Sequence, residues 1–225
     1  MKNHNRMTAT DRLFQAITED IVECKLKPEQ KLSEPEIAKK FGTSRAPIRE
    51  ALRRMEERGL VIHRPHQGYS VAAFSIEKLI EIFEVREALE GIACRLACER
   101  MSNKDIAKLK DIVRVHKQEL NRNPNGGYSY QYQDIDFHFL IVKGSKNSMI
   151  NKLICEDNYN MMLIYRNLHK EIAGSGKQAL KEHFRVLDAL ENRDGELAEI
   201  LMRRHIIAAK SRAIQSYKRL HDKEE

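Results

Sequence analysis

Residues 33–71 read SEPEIAKKFGTSRAPIREALRRMEERGLVIHRPHQGYSV, and the helix signals in this stretch decide the fold around it. Ser33 and Glu36 are spaced as a capping box, in which each side chain accepts a hydrogen bond from the other residue's free backbone N–H. Gly42 ends this first helix, and Thr43 or Ser44 then caps a second one. Pro47 lies in the first turn of the second helix, where its missing N–H costs little. Two short helices joined by a glycine-containing turn predict a helix-turn-helix.

The second helix has two chemically different faces. One face is an apolar stripe at spacings of four and three residues, formed by Ile48, Leu52 and Met55. The other face is a cationic ridge with a spacing of four, formed by Arg45, Arg49 and Arg53. An arginine can donate two hydrogen bonds to a guanine edge or bind a phosphate, so the ridge predicts a recognition helix in the major groove of DNA.

A hairpin is predicted directly after this helix. Residues 60–63 and 69–72 alternate like strands around the turn residues 64–68, which include Pro65 and Gly68. This hairpin would form a wing with His66 at its tip, against the minor groove or the DNA backbone. The alternative is an ordinary helical hairpin with a solvated basic face. Because cap, turn, ridge and wing follow one another in order, the pattern favours DNA binding.

The composition indicates a folded protein of one or two domains. The chain has 225 residues, 41% of them hydrophobic, and a formal net charge of +7, which weakly favours a polyanionic partner. No signal-peptide-like or membrane-spanning run is visible, so we expect a cytoplasmic protein without a membrane partner. The cysteines form no CxxC pair and are predicted to be reduced packing residues, with redox sensing as the alternative. They are Cys24, Cys94, Cys98 and Cys155.

The fold class predicted for the whole chain is mainly α. The domain boundary is predicted near Ala73–Phe74, with a winged helix-turn-helix domain over 1–74 and an all-helical bundle over 75–225. Helical periodicity and breakers predict three helices in the first domain and six in the second. Their predicted ranges are 8–24, 33–41, 44–58, 75–100, 102–122, 128–146, 148–171, 175–192 and 194–221.

Metal-capable side chains fall on apolar faces of three predicted bundle helices. Asp134 and His138 are four residues apart, which places both on one face of a helix. His183 and His205 each lie on a stripe whose other members are apolar. Imidazole and carboxylate ligands suit zinc first, with nickel, manganese and iron as alternatives. A single inward histidine is more often a hydrogen-bonded core residue, but three helices with such side chains favour a metal site.

Arg86 lies on the inward stripe of the first bundle helix, together with Glu90 one turn later. A buried arginine must be paired. Two roles remain open, a structural salt bridge to Glu90 and a two-pronged contact to an effector carboxylate. Tyr165 and Arg166 could line the same cavity, although a packing or solvated role is favoured for both.

The first domain resembles the winged helix of GntR-type bacterial transcription regulators. Pro35 departs from the pattern, because some members have a DNA-contacting arginine there. The matching residues are Leu32, Glu34, Ile37, Ala38, Gly42, Ser44, Arg45, Pro47, Ile48, Arg49, Glu50, Ala51, Leu52, Gly59, Leu60, Val61 and Gly68. Together with the ridge and the wing, this resemblance implies DNA contacts by Ser44, Arg45, Arg49, Arg53, His66 and Gly68.

The bundle is similar to the FCD effector domain of the FadR-type branch of these regulators. The similarity lies in D-x-x-x-H at 134–138, Asn147, Glu182-His183 and a further histidine 22 residues on. It implies that a divalent metal is held by Asp134, His138, His183 and His205, with its open positions facing a ligand cavity. The pattern V-R-x-x-L-E around Arg86 is compatible with a salt bridge and an effector contact together.

These features predict a ligand-responsive, sequence-specific transcription regulator. We expect a homodimer that binds a palindromic operator and represses until a small carboxylate effector binds. The rival reading is a metal-dependent hydrolase fused to a DNA-binding module. It is disfavoured because the sequence has no HExxH, no nucleophile elbow and no phosphate-binding glycine loop. A nonspecific architectural DNA binder would not need the second domain.

Overall fold

The computed structural model describes residues 7–23, 25–73, 75–122, 136–157, 161, 164 and 175–221. The chain divides between residues 74 and 75 into two compact units. Of the described residues, the first unit contains 7–23, 25–73, 161 and 164, and the second contains 75–122, 136–157 and 175–221.

The first unit combines three helices with a small antiparallel sheet. Strands β2 and β3 form the predicted hairpin, with Val61 opposite Val71 and Arg64 opposite Gly68. The two-residue strand β1 pairs with the other edge of β3, so that the strand order is β1-β3-β2. The prediction missed β1, because two residues are too short to show an alternating pattern. The elements are α1 (Ala9–Val22), β1 (Lys31–Leu32), α2 (Glu34–Phe41), α3 (Arg45–Glu57), β2 (Val61–Arg64) and β3 (Gly68–Val71).

Local capping signals set the helix ends of this unit. The Ser33 hydroxyl accepts from the backbone N–H of Glu36 at 3.4 Å, but among the described residues the reciprocal bond of the predicted capping box is not formed. Gly42 ends α2 in the left-handed region with φ 58°, where a glycine is unstrained. Ser44 occupies the N-cap position of α3, yet its hydroxyl makes no cap hydrogen bond to the described residues.

The core of the first unit lies between α1 and α3. The predicted stripe of α3 is confirmed, since Ile48, Leu52 and Met55 are all 0% exposed. Apolar side chains of α1 pack against it, among them Leu13 and Ile17. Each such side chain contributes about 1.5–3 kcal/mol on burial, so this stripe fixes which face of α3 remains outside.

The second unit consists of helices throughout its described residues, which confirms the predicted fold class. Its long helices α4 and α9 lie along each other, while α6 packs on α4 and α5 packs on α8. None of the described helices is both long and apolar enough to cross a membrane. The elements are α4 (Ile76–Arg100), α5 (Asn103–Arg122), α6 (Phe137–Gly144), α7 (Ser148–Asn151), a π-helical segment (Lys152–Asp157), α8 (Ser175–Glu191) and α9 (Gly195–His221).

Two of the predicted bundle helices differ from the structure. The helix predicted over 128–146 does not run through Asp136, which has an extended backbone and caps α6 at its N-terminus. The helix predicted over 148–171 leaves α-helical geometry at Lys152, where the π-helical segment begins. The other predicted ends agree with the structure to within two residues.

The described cysteines are free and buried, in agreement with the predicted packing role. Burial raises the pKa of Cys98 to about 11 and that of Cys155 to about 12, so both remain thiols at neutral pH. Cys24 lies outside the described residues.

Candidate DNA-binding face and metal site

The outer face of α3 carries the predicted DNA-contacting side chains of the recognition helix. The N-cap Ser44 and the ridge arginines are all exposed, on the side opposite the buried apolar stripe. The face is positively charged along three successive turns and free of bulky apolar side chains, as a surface that approaches DNA phosphates needs to be. Its arginines are Arg45, Arg49 and Arg53.

Carboxylates restrain two of these arginines. Arg49 Nε donates to Glu34 Oε2 at 3.0 Å, and Arg53 Nη2 donates to Glu50 Oε1 at 2.8 Å. Arg45 makes no ion pair with any described residue. A groove runs along this face between α2, α3 and the wing, and it is lined by Glu34, Ala46, Arg49, Glu50, Arg53, His63 and Tyr69. The approach of DNA to Arg49 and Arg53 must therefore displace or reorient their acidic partners.

The wing presents His66 and Gly68 to solvent. His66 lies in the left-handed region with φ 63°, and Gly68 follows with φ 81°. His63 and Tyr69 are partners across the two strands, and their ring centroids are 4.6 Å apart. This contact orders the base of the hairpin and leaves the tip outermost.

Three histidines from three helices meet inside the second unit. They are His138 of α6, His183 of α8 and His205 of α9, and each is at most 4% exposed. Nε2 of His205 lies 3.2 Å from Nε2 of His183 and 3.3 Å from Nε2 of His138. Tetrahedral zinc with Zn–N bonds of about 2.0–2.1 Å places neighbouring nitrogens about 3.3 Å apart. The two distances from His205 match this spacing, and all three donor atoms lie within 4.8 Å of one another, so this trio could hold a metal ion.

The outer ring nitrogens show how two of these histidines are protonated. Nδ1 of His138 lies 2.6 Å from Glu90 Oε2, and Nδ1 of His205 lies 2.6 Å from Glu182 Oε2. An ionised carboxylate only accepts, so each Nδ1 carries the donated proton. In a neutral ring Nε2 then holds a lone pair, and the two lone pairs face each other at 3.3 Å. A cation between them removes this repulsion, so the chemistry of the donors also fits a metal.

Charges around the trio keep the carboxylates ionised. Burial opposes ionisation of Glu90, but the charge of Arg86 and the hydrogen bonds from Arg86 and His138 outweigh it and hold the pKa of Glu90 well below its usual range. Glu182 is partly buried, yet hydrogen bonds from His205 and Arg212 lower its pKa to about 2. Burial lowers the pKa of His205 to about 4, so this ring is neutral at pH 7 and able to act as a ligand.

Asp134, the predicted fourth ligand, lies outside the described residues, as do Tyr165 and Arg166. Its neighbour Asp136 is 2% exposed and accepts hydrogen bonds from the backbone N–H groups of His138 and Phe139. Because α6 begins only after Asp136, the argument that a single helix places Asp134 and His138 on one face does not hold. The case for Asp134 therefore rests on resemblance and no longer on helical spacing.

Arg86 is 4% exposed and forms the salt bridge that the sequence left as one of two readings. Its Nε donates to Glu90 Oε1 at 2.6 Å, and its guanidinium lies 5.0 Å from the ring centre of Phe83. The Nη atoms make no hydrogen bond to described residues. Arg86 also lines an opening of about 120 Å³ with Lys78, Glu81, Ile82, Val85 and Ile154.

Sequence reasoning missed the contacts of Glu90 and Glu182 with the trio. Glu90 was considered only as a partner of Arg86, and Glu182 only as the neighbour of His183. His138 lies 48 residues from Glu90, and His205 lies 23 residues from Glu182. No local pattern joins residues so far apart, although a buried glutamate on an apolar stripe signals a partner of some kind.

Family models match both units of the chain. The model of bacterial regulatory proteins of the gntR family matches residues 9–71, and the FCD domain model matches residues 81–208. The chain belongs to the GntR family and carries an FCD domain. Proteins of this family bind DNA and regulate transcription, and they are not enzymes. The hydrolase alternative is thereby excluded.

Curated relatives and solved structures agree with this assignment. The chain is 29% identical over 209 residues to the "Probable D-xylose utilization operon transcriptional repressor" of Paenarthrobacter nicotinovorans, covering 92% of this chain and 89% of the relative. It is 25% identical to the transcriptional repressor RspR of Escherichia coli K12, covering 87% and 84%. The structure of Escherichia coli McbR/YncC has the same fold, with a TM-score of 0.75, 21% identity and coverage of 94% and 100%.

Proposed function

We propose that this GntR-family regulator is a repressor that binds a palindromic operator as a homodimer. In this proposal, residues 1–74 read DNA, and residues 75–225 bind a divalent metal, a small carboxylate effector and the partner subunit. The observation that carries the proposal is the burial of three converging histidines within the helical unit, in a chain whose other unit presents an arginine ridge.

The DNA contacts are assigned to Ser44, Arg45, Arg49 and Arg53 of α3 and to His66 and Gly68 of the wing. Exposure of all six residues supports this assignment. Arg45 lies at the N-terminal end of α3, the part of a recognition helix that enters the major groove. It makes no ion pair with described residues, so its guanidinium is available to a base or a phosphate without displacing a carboxylate.

The metal is assigned to His138, His183 and His205, with Asp134 as the fourth protein ligand. Three imidazole donors, two of them at about tetrahedral spacing from His205, favour zinc, while nickel, manganese and iron are the competing ions. The bound ion would supply a buried positive charge to which an effector carboxylate can coordinate. The histidines that would hold that charge are each at most 4% exposed.

The effector is assigned to the same region, with Arg86 as a second cationic contact. Arg86 uses Nε for Glu90 and leaves both Nη groups without a partner among described residues, which suits a two-pronged contact to a carboxylate. An effector changes DNA affinity only if it binds the free and DNA-bound arrangements differently. Repression is proposed because both relatives are named as repressors, one of them as a probable one, and relief by the effector is the sign of regulation that we propose with it.

The proposed homodimer is inferred from the two-fold symmetry of the proposed palindromic operator and not from a contact within the chain. A two-fold dimer places two recognition helices on successive turns of a palindrome and doubles the phosphate contacts. A repressor of this kind acts at the nucleoid, in the bacterial cytoplasm.

Selection of genomic fragments on the purified full chain, at about 0.15 M salt, tests the DNA-reading part. The wild type should recover a short palindrome, and the double variant Arg45→Ala/Arg49→Ala should lose it. Arg122→Ala removes an exposed arginine of α5 and serves as the matched control, with full recovery expected. If the double variant recovers the same palindrome, the assignment of α3 is wrong.

Metal content tests the other part of the proposal. His183→Ala should remove the bound metal from the purified protein, as measured by elemental analysis, while Arg49→Ala should leave the metal content unchanged. Equal metal in the His183→Ala and wild-type proteins would rule out the histidine site and leave the DNA-reading part intact.

A further inference from the structure

Two carboxylates, one buried and one partly buried, lie directly behind the histidine trio. Glu90 of α4 is 0% exposed and accepts from Nδ1 of His138, and Glu182 of α8 accepts from Nδ1 of His205, both at 2.6 Å. Neither carboxylate belongs to the group whose donor atoms converge on a common point. Both therefore contact the trio from the outside, through the ring nitrogen that faces away from the other histidines.

Each of these carboxylates is in turn held by an arginine. Arg86 Nε donates to Glu90 Oε1 at 2.6 Å, and Glu90 uses its other oxygen for His138. Arg212 donates to both oxygens of Glu182, at 3.2 and 3.1 Å. The same order of arginine, glutamate and histidine thus occurs twice, on different helices and with unrelated sequence spacing. This repetition points to a common role at the histidines.

We propose that Glu90 and Glu182 are positioning residues that fix the Nδ1–H tautomer of His138 and His205 and so present Nε2 to the metal. This inference rests on the metal site proposed above. A free imidazole exchanges its proton between the two nitrogens, and only the unprotonated nitrogen can be a ligand. With the proton committed to a carboxylate at Nδ1, each ring keeps its Nε2 lone pair inside the trio. Outer partners of this kind typically change metal affinity by about 10–100-fold.

An amide cannot replace Glu90. Glu90 accepts from two donors on two separate oxygens, Arg86 Nε–H and His138 Nδ1–H. A glutamine has one carbonyl oxygen, and its NH₂ group would face the second donor. In Glu90→Gln one of the two donors therefore loses its acceptor. Where the amide NH₂ faces His138, the ring loses its partner or moves its proton to Nε2; where the NH₂ faces Arg86, the carbonyl still accepts from His138, but a neutral amide holds the proton at Nδ1 less strongly than a carboxylate does. Both arrangements weaken metal binding.

The two carboxylates differ in exposure, so we expect their glutamine substitutions to weaken zinc binding to different extents. The side chain of Glu90 is 1% exposed, whereas that of Glu182 is 14% exposed, so water can partly replace the second but not the first. We expect Glu90→Gln to weaken zinc binding by about 10–100-fold and Glu182→Gln by about tenfold or less.

The test is zinc affinity of the metal-free full chain, measured by competition with a chromophoric chelator. The matched control is Glu199→Gln, which removes a carboxylate of similar exposure (17%) that pairs with Arg95 and Arg203 and contacts no histidine of the trio. Its zinc affinity should stay within twofold of the wild type. Circular dichroism establishes that each variant is folded before its affinity is compared.

A second readout separates positioning from general stability. The ¹⁵N chemical shifts of the histidine rings report which nitrogen carries the proton, and a purely structural role would leave them unchanged. The wild type should show Nδ1–H at His138 and His205, and each glutamine variant should show a changed tautomer population at its own histidine. If Glu90→Gln does not fold, Glu182→Gln provides the same pair of measurements.

The outcomes distinguish this inference from the proposal beneath it. A wild type that binds no zinc overturns the metal site itself. A wild type that binds zinc, with glutamine variants that keep its affinity within twofold and its tautomers, leaves the metal site intact and overturns the positioning role. Weakened binding together with a shifted tautomer supports both.

Discussion

Zinc should stabilise the folded protein, because the three histidines lie close together only in the folded state. In the folded state, Nε2 of His205 already lies 3.2–3.3 Å from its two neighbours, so little reorganisation is needed to bind an ion. In the unfolded chain the same rings are separated by 22 and 67 residues from His205, and no preformed site exists. The ion therefore binds the folded state selectively, which raises the free energy of unfolding.

The size of the effect follows from the linkage between binding and folding. At a free zinc concentration a hundred times the Kd, the folded state gains about 2.7 kcal/mol. For a chain of about 150–250 residues, each kcal/mol moves the unfolding midpoint by about 2–4 °C. We therefore expect zinc to raise the Tm of the metal-free wild type by about 5–10 °C, and a chelator to reverse the increase.

Thermal melts followed by circular dichroism, with and without zinc, measure this increase. His205→Ala removes the ring nearest to both others and should reduce the increase below about 2 °C, whatever its own starting Tm. His116→Gln is the matched control, since His116 is buried at 6% exposure but does not belong to the trio, and the full increase should remain. A full increase in His205→Ala would refute the site, as would its loss in His116→Gln alone.

Three further predictions concern charged side chains. Glu34→Gln removes the ion pair of Arg49. Because exposed ion pairs contribute at most about 1 kcal/mol, the variant should bind a DNA duplex up to about fivefold more tightly. Unchanged or weaker binding, measured by fluorescence anisotropy, would contradict this prediction. A hydrogen bond from Arg54 lowers the pKa of Asp11 to about 2. Asp11 therefore contributes stability above about pH 4, and this contribution is lost as the pH falls through 2. At neutral pH, Asp11→Asn should have a lower Tm than the wild type, and its Tm should fall less between about pH 4 and pH 2. A Tm profile parallel to that of the wild type over this range would contradict the prediction. Arg86→Met leaves Glu90 buried without its arginine and should cost about 3–5 kcal/mol in urea unfolding, whereas the exposed Arg95→Met should cost under about 1 kcal/mol; equal losses would show that the buried pair has no special weight.

Agreement between sequence and structure is closest where the signals are local. The apolar stripe of α3 is predicted from spacings of three and four residues, and Ile48, Leu52 and Met55 are fully buried as expected. Gly42 ends α2 in the left-handed region for the same local reason. β1 was missed because its only structural cause is pairing with β3, nearly forty residues later.

The metal site shows where local reasoning stops. Inward positions of three histidines were predicted from apolar stripes, and the structure brings His138, His183 and His205 together. The spacing argument for Asp134 failed, because Asp136 caps α6 and ends the assumed helix before it reaches Asp134. Asp136 decides this, because it caps α6. Whether such a residue lies inside a helix or at its N-cap depends on the packing around it, which local spacing does not report.

The sequence by itself determined most of the helices, the hairpin of the wing, the outward arginine ridge and the family of regulators, while the predicted helices over 128–146 and 148–171 differ from the structure. Caps and periodicity act over about four residues, so they are fixed before any helix meets another. Only the tertiary structure decided that Glu90 and Glu182 stand behind His138 and His205, and that Arg86 and Arg212 hold these carboxylates. The contacts between helices join residues 23 to 48 positions apart, and their hydrogen bonds of about 2.6–3.2 Å form only when the helices have packed. The pair Arg86–Glu90 lies within one helix, and the tertiary structure decided only which of its two possible roles is observed.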